Sequence, residues 1–496
     1  MMSAAGFDHG VASGDPSTDR VVLWTRVTTD EESVPVGWVL ARDEGLTDVV
    51  ARGTATAHAA RDHIVHIDAC GLEPGTTYHY RFETDAGFSE TARTRTLPDD
   101  PERVRFAICS CAKFNAGFFN AYARMAEHEQ LDFLLHLGDY IYEASNTPPK
   151  SQTPGADIGR AFDPLGECRT LADYRRRYAQ YRRDPDVQQL HRRLPMIATL
   201  DDHELADGAW AGGSTEHRPG EHGPWEERRA AALRARWEWL PARQPDPHDP
   251  TRVFRAIRLG RLADIMLLDI RSRRDEPVRD PEMSDPARTM LGTEQRDWLL
   301  GELEASAAAW RIVATPSIFT RTWCEEPEEP LRTALAKLKL IDEDGGGPDH
   351  DQWDGYPAER ALLTGHLRDR SIEDVVLLSA DIHVSVAAVV DDVATGEPVA
   401  VELTSPSLTS QNLDEKLGVE PRSEEIVASE RAFIDALDHV EWCEFAGHGY
   451  VVCDVDRDRI RAEWWLVDGV LEPLPGESRV AAYEVRRGAP LLTPTN

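Results

Sequence analysis

DFLLHLGDYIYE, residues 132–143, joins a short unbroken apolar run to a glycine and then to an acid. A run of this length without polar alternation fits a strand buried on both faces. Gly138 permits a tight exit from that strand, and Asp139 stands at its carboxyl end. The same pattern recurs three times. VRFAICS (104–110) leads to Cys111, MIATL (196–200) to Asp201-Asp202-His203-Glu204, and VVLLSA (375–380) to Asp381-Ile382-His383. Four predicted strands therefore end on a metal ligand or a proton donor, and sites in open α/β sheets form at the carboxyl ends of strands.

Further apolar runs at 264–268 and 311–314, and amphipathic segments at 118–130 and 226–240, extend the α/β pattern on either side. Before residue 98 the texture differs. Short alternating strands at 20–27, 36–43, 63–69 and 77–84, with the turn LEPGT at 72–76, predict a small all-β sandwich. PDDPER at 98–103 reads as the joint, giving a first domain over 1–98 and a second, α/β domain over 104–496. The polar stretches 144–170, 211–225, 270–290 and 324–355 read as loops over the rim, and 449–455 and 459–467 as closing strands.

At 496 residues and 41% hydrophobic content, the chain can fill one large core and a smaller one. No apolar window is long enough to span a membrane. With 55 Lys plus Arg against 88 Asp plus Glu the net charge is −33, which repels nucleic acids and anionic membranes. A small phosphate ester is still compatible, because cations within a cleft dominate the local field. A monomer or small homo-oligomer is expected. The start, MMSAAGFDHG, lacks the basic and apolar regions of a secretory leader, so the chain reads as intracellular as written or as one whose leader was removed. Seven scattered cysteines do not make a disulfide framework.

Carboxylates and an imidazole at neighbouring strand ends suit two cations sharing one carboxylate, roughly 3.5–4 Å apart. Asp139 is the natural bridge. Such a pair clamps a phosphoryl oxygen and supplies hydroxide near neutral pH for in-line attack.

These residues resemble the PhoD-type alkaline phosphatases, within the calcineurin-like and purple-acid-phosphatase-like metallophosphoesterases. The resemblance spans nearly the whole chain, through FDHGVASGDPSTDRVVLWTRV (7–27), FAICSC (106–111), LHLGDYIYE (135–143), DDHE (201–204), MLGTEQRDWL (290–299), QWDGYPAER (352–360), LSADIHVS (378–385), TSPSLTS (404–410) and HGY (448–450). It implies an α/β, four-layer metallophosphoesterase sandwich preceded by a fibronectin-type-III-like domain. It also implies one Fe3+ and one or two Ca2+. On this resemblance Asp139 bridges, Cys111, Tyr142 and His383 hold iron, Asp202 and Asp381 serve the second metal, and His203 meets the substrate phosphate or leaving group. Thiolate, phenolate and imidazole suit iron, and an all-oxygen set suits calcium. Relatives of this kind are usually exported, a feature that the chain's first residues do not share. Ala380 stands where the family usually has Gly, and Cys109 adds a thiol two residues before Cys111 that could compete for it.

Other residues carry weaker expectations. Arg271 and Arg274 follow the run LLDI and are candidate phosphate clamps; Trp353 and Tyr356 are candidates for lining the entrance. Asp201 is expected to cap the turn after its strand, and His448 to approach the rim. The reaction expected is hydrolysis of phosphate monoesters and diesters. The rivals are a dedicated phosphodiesterase or iron-dependent phospholipase D, and a non-catalytic binding protein. A covalent Cys111 nucleophile lacks its phosphate-cradling Arg in AKFNAGFF (112–119).

Overall fold

Phe106 and Ile108 of strand Arg103–Cys109 face one core, while the intervening Ala107 and the terminal Cys109 face another. That period of two is repeated in Phe133–His136, where Phe133 and Leu135 point one way and Leu134 the other. Each strand is covered on both sides. In the computed structural model, residues 6–128, 130–146, 157–246, 248–279, 281–341 and 347–495 are described.

Two large sheets stack face to face. The ten-stranded sheet runs, in spatial order, Ala489–Pro494, Glu477–Arg486, Arg459–Val467, Gly449–Asp456, Arg103–Cys109, Phe133–His136, Met196–Ala198, Val11–Gly14, Arg20–Arg26 and Ile64–Cys70. Its centre is parallel, with Leu135 opposite Ile108 and Ile197, and its flanks are largely antiparallel. The seven-stranded sheet has the parallel series Ala263–Leu267, Trp310–Ser317, Val375–Ala380 and Pro398–Thr404 at its centre. Phe106, Phe133, Ile265, Ile312, Val376 and Val451 fill the space between the sheets, with the rings of Phe106 and Phe133 stacked 4.9 Å apart.

Helices cover both outer faces and complete four layers. Asn120–Glu127, Leu171–Arg182, Pro185–Arg193 and Trp225–Trp239 lie on the first sheet, where Tyr122, Met125, Tyr178 and Trp239 meet Ala107 and Leu134. Thr293–Ala305 and Pro357–Asp369 lie on the second, with Leu299, Leu303, Leu363 and Leu367 against Met266, Val313 and Leu377. Local chemistry starts several of these helices. Thr170 and Asp173 form a capping box, and Asp184 accepts the Asp186 and Val187 amides ahead of a first-turn proline.

The first region is all-β. A second small sheet, built on Val49–His58, Ser33–Ala41 and Thr77–Thr84, packs against Arg20–Arg26 and Ile64–Cys70 over Val21, Leu23, Val36, Tyr80 and Phe82. One face of this sandwich is continuous with the ten-stranded sheet, since Gly14 pairs in parallel with Met196. The stretch 324–355, expected as loop, holds the helix Leu331–Leu338, whose Leu331, Ala334, Leu335 and Leu338 form a buried stripe. Residues 147–156, 280 and 342–346 of the expected loops lie outside the described residues. Among the described residues, no helix is long and apolar enough to cross a membrane.

Candidate metal centre

All four strand exits deliver their polar residues to one place, and three of them do so through unusual backbone. Cys111, Asp139, Asp381 and His383 have φ of 59°, 56°, 73° and 62°. Non-glycine residues seldom adopt this left-handed region, and clusters of such residues mark functional sites. Gly138, at φ 108°, could not be replaced cheaply, because a Cβ there would sit 2.5 Å from the Asp201 amide nitrogen. The positive φ of Cys111 also takes it off the line of the strand that holds Cys109, and both thiols are free.

Three triads of potential ligands result: Cys111 with Asp139 and His383; Asp139 with Asp202 and His203; and Asp201 with Asp202 and Asp381. Within each triad the ligand atoms lie within 4.8 Å of one another. Asp139 is shared by the first two and Asp202 by the last two, so the triads form one chain of sites. Tyr142 joins the first, its hydroxyl 3.5 Å from His383 Nε2.

The donor atoms are poised for cations. Asp139 Oδ2 and Asp202 Oδ1 are buried without a hydrogen-bond partner among the described residues, although their other oxygens accept the His203 amide at 3.2 Å and the Gly208 amide at 2.8 Å. Unpaired buried carboxylate oxygens are costly unless something positive meets them. Burial, opposed by His203 and reinforced by Asp202, raises the Asp139 carboxyl well above its usual range. Burial and the neighbouring carboxylates Asp139 and Asp381 push up the Cys111 thiol, and burial with Asp139 and Cys111 pushes up the Tyr142 phenol. The His383 imidazole is depressed, chiefly by burial and then by Lys416 and Lys113, which keeps it neutral. Its Nδ1 lies 3.2 Å from the Gln411 carbonyl, and donation there leaves Nε2 with its lone pair toward the cluster. The residues present fit a pair of metal ions.

His203 is held differently. Its Nδ1 bonds Glu143 Oε2 at 2.7 Å, and its ring lies over that of Tyr142 with centroids 3.9 Å apart. Burial opposes its charge, but Asp139, Glu143 and Asp202 outweigh it and raise the imidazole well above its ordinary value. Glu143 also accepts the Asp207 amide. The ring is thereby tied to Glu143 and laid against Tyr142 at the edge of the cluster.

Several surrounding residues were not singled out by sequence reasoning. Glu204 is fully buried and accepts the amides of Asp139, Tyr140 and Asp201 at 3.0, 2.6 and 2.7 Å, tying two strand exits together. Ser410 donates to the Tyr142 hydroxyl at 2.6 Å, and the Leu408 and Ser410 amides reach the Ser110 and Cys111 carbonyls. Gln352 donates to Asp381 at 2.6 Å. Each lies inside a quoted motif (LHLGDYIYE, DDHE, TSPSLTS or QWDGYPAER), which was the available signal.

Other expectations need correction. Arg271 is no free phosphate clamp: it is wholly buried and bonds Asp201, Asp351 at 2.6 Å and Asp381 at 2.9 Å. A planar guanidinium can orient several carboxylates at once, and that is its task here. Arg274 is likewise spent on the Ala209 and Asp351 carbonyls and the Asp351 carboxylate. Asp201 caps the turn Asp202–Glu204 as expected, and it also belongs to the third triad and pairs with Arg271. Trp353 and Tyr356 are buried in the outer helix layer, not at an entrance. His448 is buried below the rim, bonded to Ser407 at 3.1 Å and paired with Glu415 at 3.4 Å.

The family model described as PhoD-like phosphatase matches residues 106–464, and that of the PhoD-like phosphatase N-terminal domain matches 2–98. Alkaline phosphatase D of Bacillus subtilis (strain 168) is 33% identical over 509 aligned residues, covering 97% of this chain and 81% of that protein. A solved structure of PhoD superposes with a TM-score of 0.85 at 30% identity, covering 100% of this chain and 93% of that one.

Proposed function

Since the chain belongs to the PhoD-like phosphatases, we propose that it hydrolyses phosphate monoesters and diesters with the help of metal ions held at the linked triads. The observation that carries this reading is the pair of buried, unpartnered oxygens, Asp139 Oδ2 and Asp202 Oδ1, at the two joints of the triads. Cys111, Tyr142 and His383 would hold Fe3+, with Asp139 shared; Asp202 and Asp381, with Asp201 adjoining, would hold one or two Ca2+. Cations there would neutralise charge on a phosphoryl oxygen and acidify a water for in-line attack.

The chain's own residues then have separable tasks. Arg271 and Gln352 orient Asp381, and Glu204 fixes the backbone from which Asp139 projects. Ser410 holds the Tyr142 oxygen in place. Glu143 keeps His203 charged and aimed, so that its Nε2 proton can go to the ester oxygen that leaves as an alcohol.

Turnover of p-nitrophenyl phosphate, bis-p-nitrophenyl phosphate and phosphatidylcholine by the metal-loaded protein tests the substrate class. Hydrolysis of the first two is expected. Activity on phosphatidylcholine alone would replace this reading with a phospholipase D.

A further inference from the structure

Only five lysines occur in this sequence, at 113, 150, 337, 339 and 416, in a chain whose Lys and Arg together number 55. Three of them, Lys113, Lys339 and Lys416, converge on the candidate centre from separate elements. Lys113 follows the exit carrying Cys111, and its Nζ lies 5.6 Å from the centre of the Tyr142 ring. Lys416 sits in the short helix Leu413–Leu417, immediately after Gln411, whose carbonyl holds His383. That helix is anchored by Glu415, which accepts the Asn412 amide and pairs with His448. Lys339 ends the helix Leu331–Leu338, which packs against the helix of Lys416.

Their electrostatic surroundings place all three near the same group of acids. Lys113 is felt by Asp139, Glu143 and Asp207, Lys416 by Asp381, and Lys339 by Asp202, Asp207 and Asp351; Lys113 also feels Lys339, and Lys416 feels both of the others. Arginines dominate the ion pairs among the described residues, and none of these three lysines has a carboxylate partner within ion-pair distance there. Lys113 and Lys416 are half-buried and Lys339 is exposed.

Lys339 gives a second, independent sign. Its backbone is left-handed, φ 60° and ψ 37°, at the helix terminus where glycine is the favoured residue. Lysine is a compact charge on a flexible stem, suited to gripping phosphate oxygens, whereas the paired arginines are committed to fixed carboxylates. A local cationic rim also answers a problem set by the net charge of −33, which repels an anionic substrate at long range.

We propose that Lys113, Lys339 and Lys416 form an anion clamp over the metal cluster that grips the terminal phosphate of a monoester, favouring dianionic monoesters over monoanionic diesters. The proposal rests on the phosphoesterase reading for the substrate, and on the lysines' placement for the clamp. A dianion gains more than a monoanion from each added positive charge, and a diester also has one fewer unsubstituted oxygen to offer.

The test uses the metal-loaded full chain and its variants Lys416→Ala, Lys416→Arg and Lys339→Gly. Iron and calcium content is measured first, then the affinity for inorganic phosphate by calorimetry, then KM and kcat for p-nitrophenyl phosphate and bis-p-nitrophenyl phosphate. With metal content unchanged, Lys416→Ala is expected to weaken phosphate binding about tenfold, the usual scale for one charged hydrogen bond. It should raise KM for the monoester similarly and for the diester less. Lys416→Arg should retain most of the affinity. Lys339→Gly relieves the left-handed backbone, so its melting temperature should equal or exceed the parent's while its phosphate affinity falls. Phosphate affinity equal to the parent's in both Lys416→Ala and Lys339→Gly would overturn the clamp. A parent that binds phosphate but cleaves neither ester would overturn the phosphoesterase reading, and the phosphate affinities would still decide the clamp.

Discussion

Glu204 shows how much of the centre depends on residues that touch no candidate ligand side chain. Its carboxylate accepts three backbone amides from two strand exits. Glu204→Ala is expected to destabilise the protein by on the order of 3 kcal/mol, because buried amides lose a charged acceptor, and to lower turnover with it. Urea unfolding beside an activity assay checks this; unchanged values in both would contradict it. Glu143 carries a pH signature. Burial alone would raise its carboxyl, but His203, Arg228 and the Asp207 amide hold it at about 2 against 4.5. A carboxyl with a depressed folded value adds stability above its unfolded value, and the gain disappears as pH falls from 4.5 to about 2. That gap corresponds to roughly 3 kcal/mol. In chelated protein, Glu143→Gln should flatten the acid limb of stability between pH 5 and 3; a limb as steep as the parent's would contradict it. At this scale the ligands were legible because they stand at strand ends beside apolar runs. The burial of Arg271 was not legible, because its three carboxylate partners come from positions 201, 351 and 381.

At the scale of elements, the strand exit is the unit of construction. A buried parallel strand must turn sharply at its end to present a polar residue, and here the turn is made by left-handed residues, with Gly138 against Asp201. Gly138→Ala is expected to cost several kcal/mol or prevent folding, since its Cβ would meet backbone that cannot step aside. Thermal melts and soluble yield measure the effect, and a variant as stable as the parent would show that the close approach is not real. The parallel strands were readable from short runs such as FLLH and VVLLSA because burial on both faces removes all alternation. The helix Leu331–Leu338 was hidden by its Pro- and Glu-rich neighbours, although its leucines repeat at helical spacing. The loop 404–412 was visible as a motif but silent about its role, because its bonds to Cys111 and Tyr142 join residues nearly 300 and 268 positions apart.

Across the whole molecule, the N-terminal strands act as part of the catalytic sheet. Gly14 pairs with Met196, Trp24 donates to the Glu238 carbonyl at 2.8 Å, and Arg255 pairs with Asp15 at 2.6 Å. The sandwich was legible as alternating strands; its continuity with Met196–Ala198 was not, because strand pairing between distant segments leaves no local pattern. Removal of residues 1–98 is expected to expose the edge of Met196–Ala198 and cause aggregation. A soluble, active fragment would contradict that. Metal binding at the linked triads is decided by elemental analysis of the purified chain alongside Cys111→Ser. Iron and calcium are expected in the parent, with a visible absorption band from thiolate and phenolate on iron, and the variant should lose iron and most activity. A colourless, iron-free parent that hydrolyses phosphate esters at full rate would contradict it.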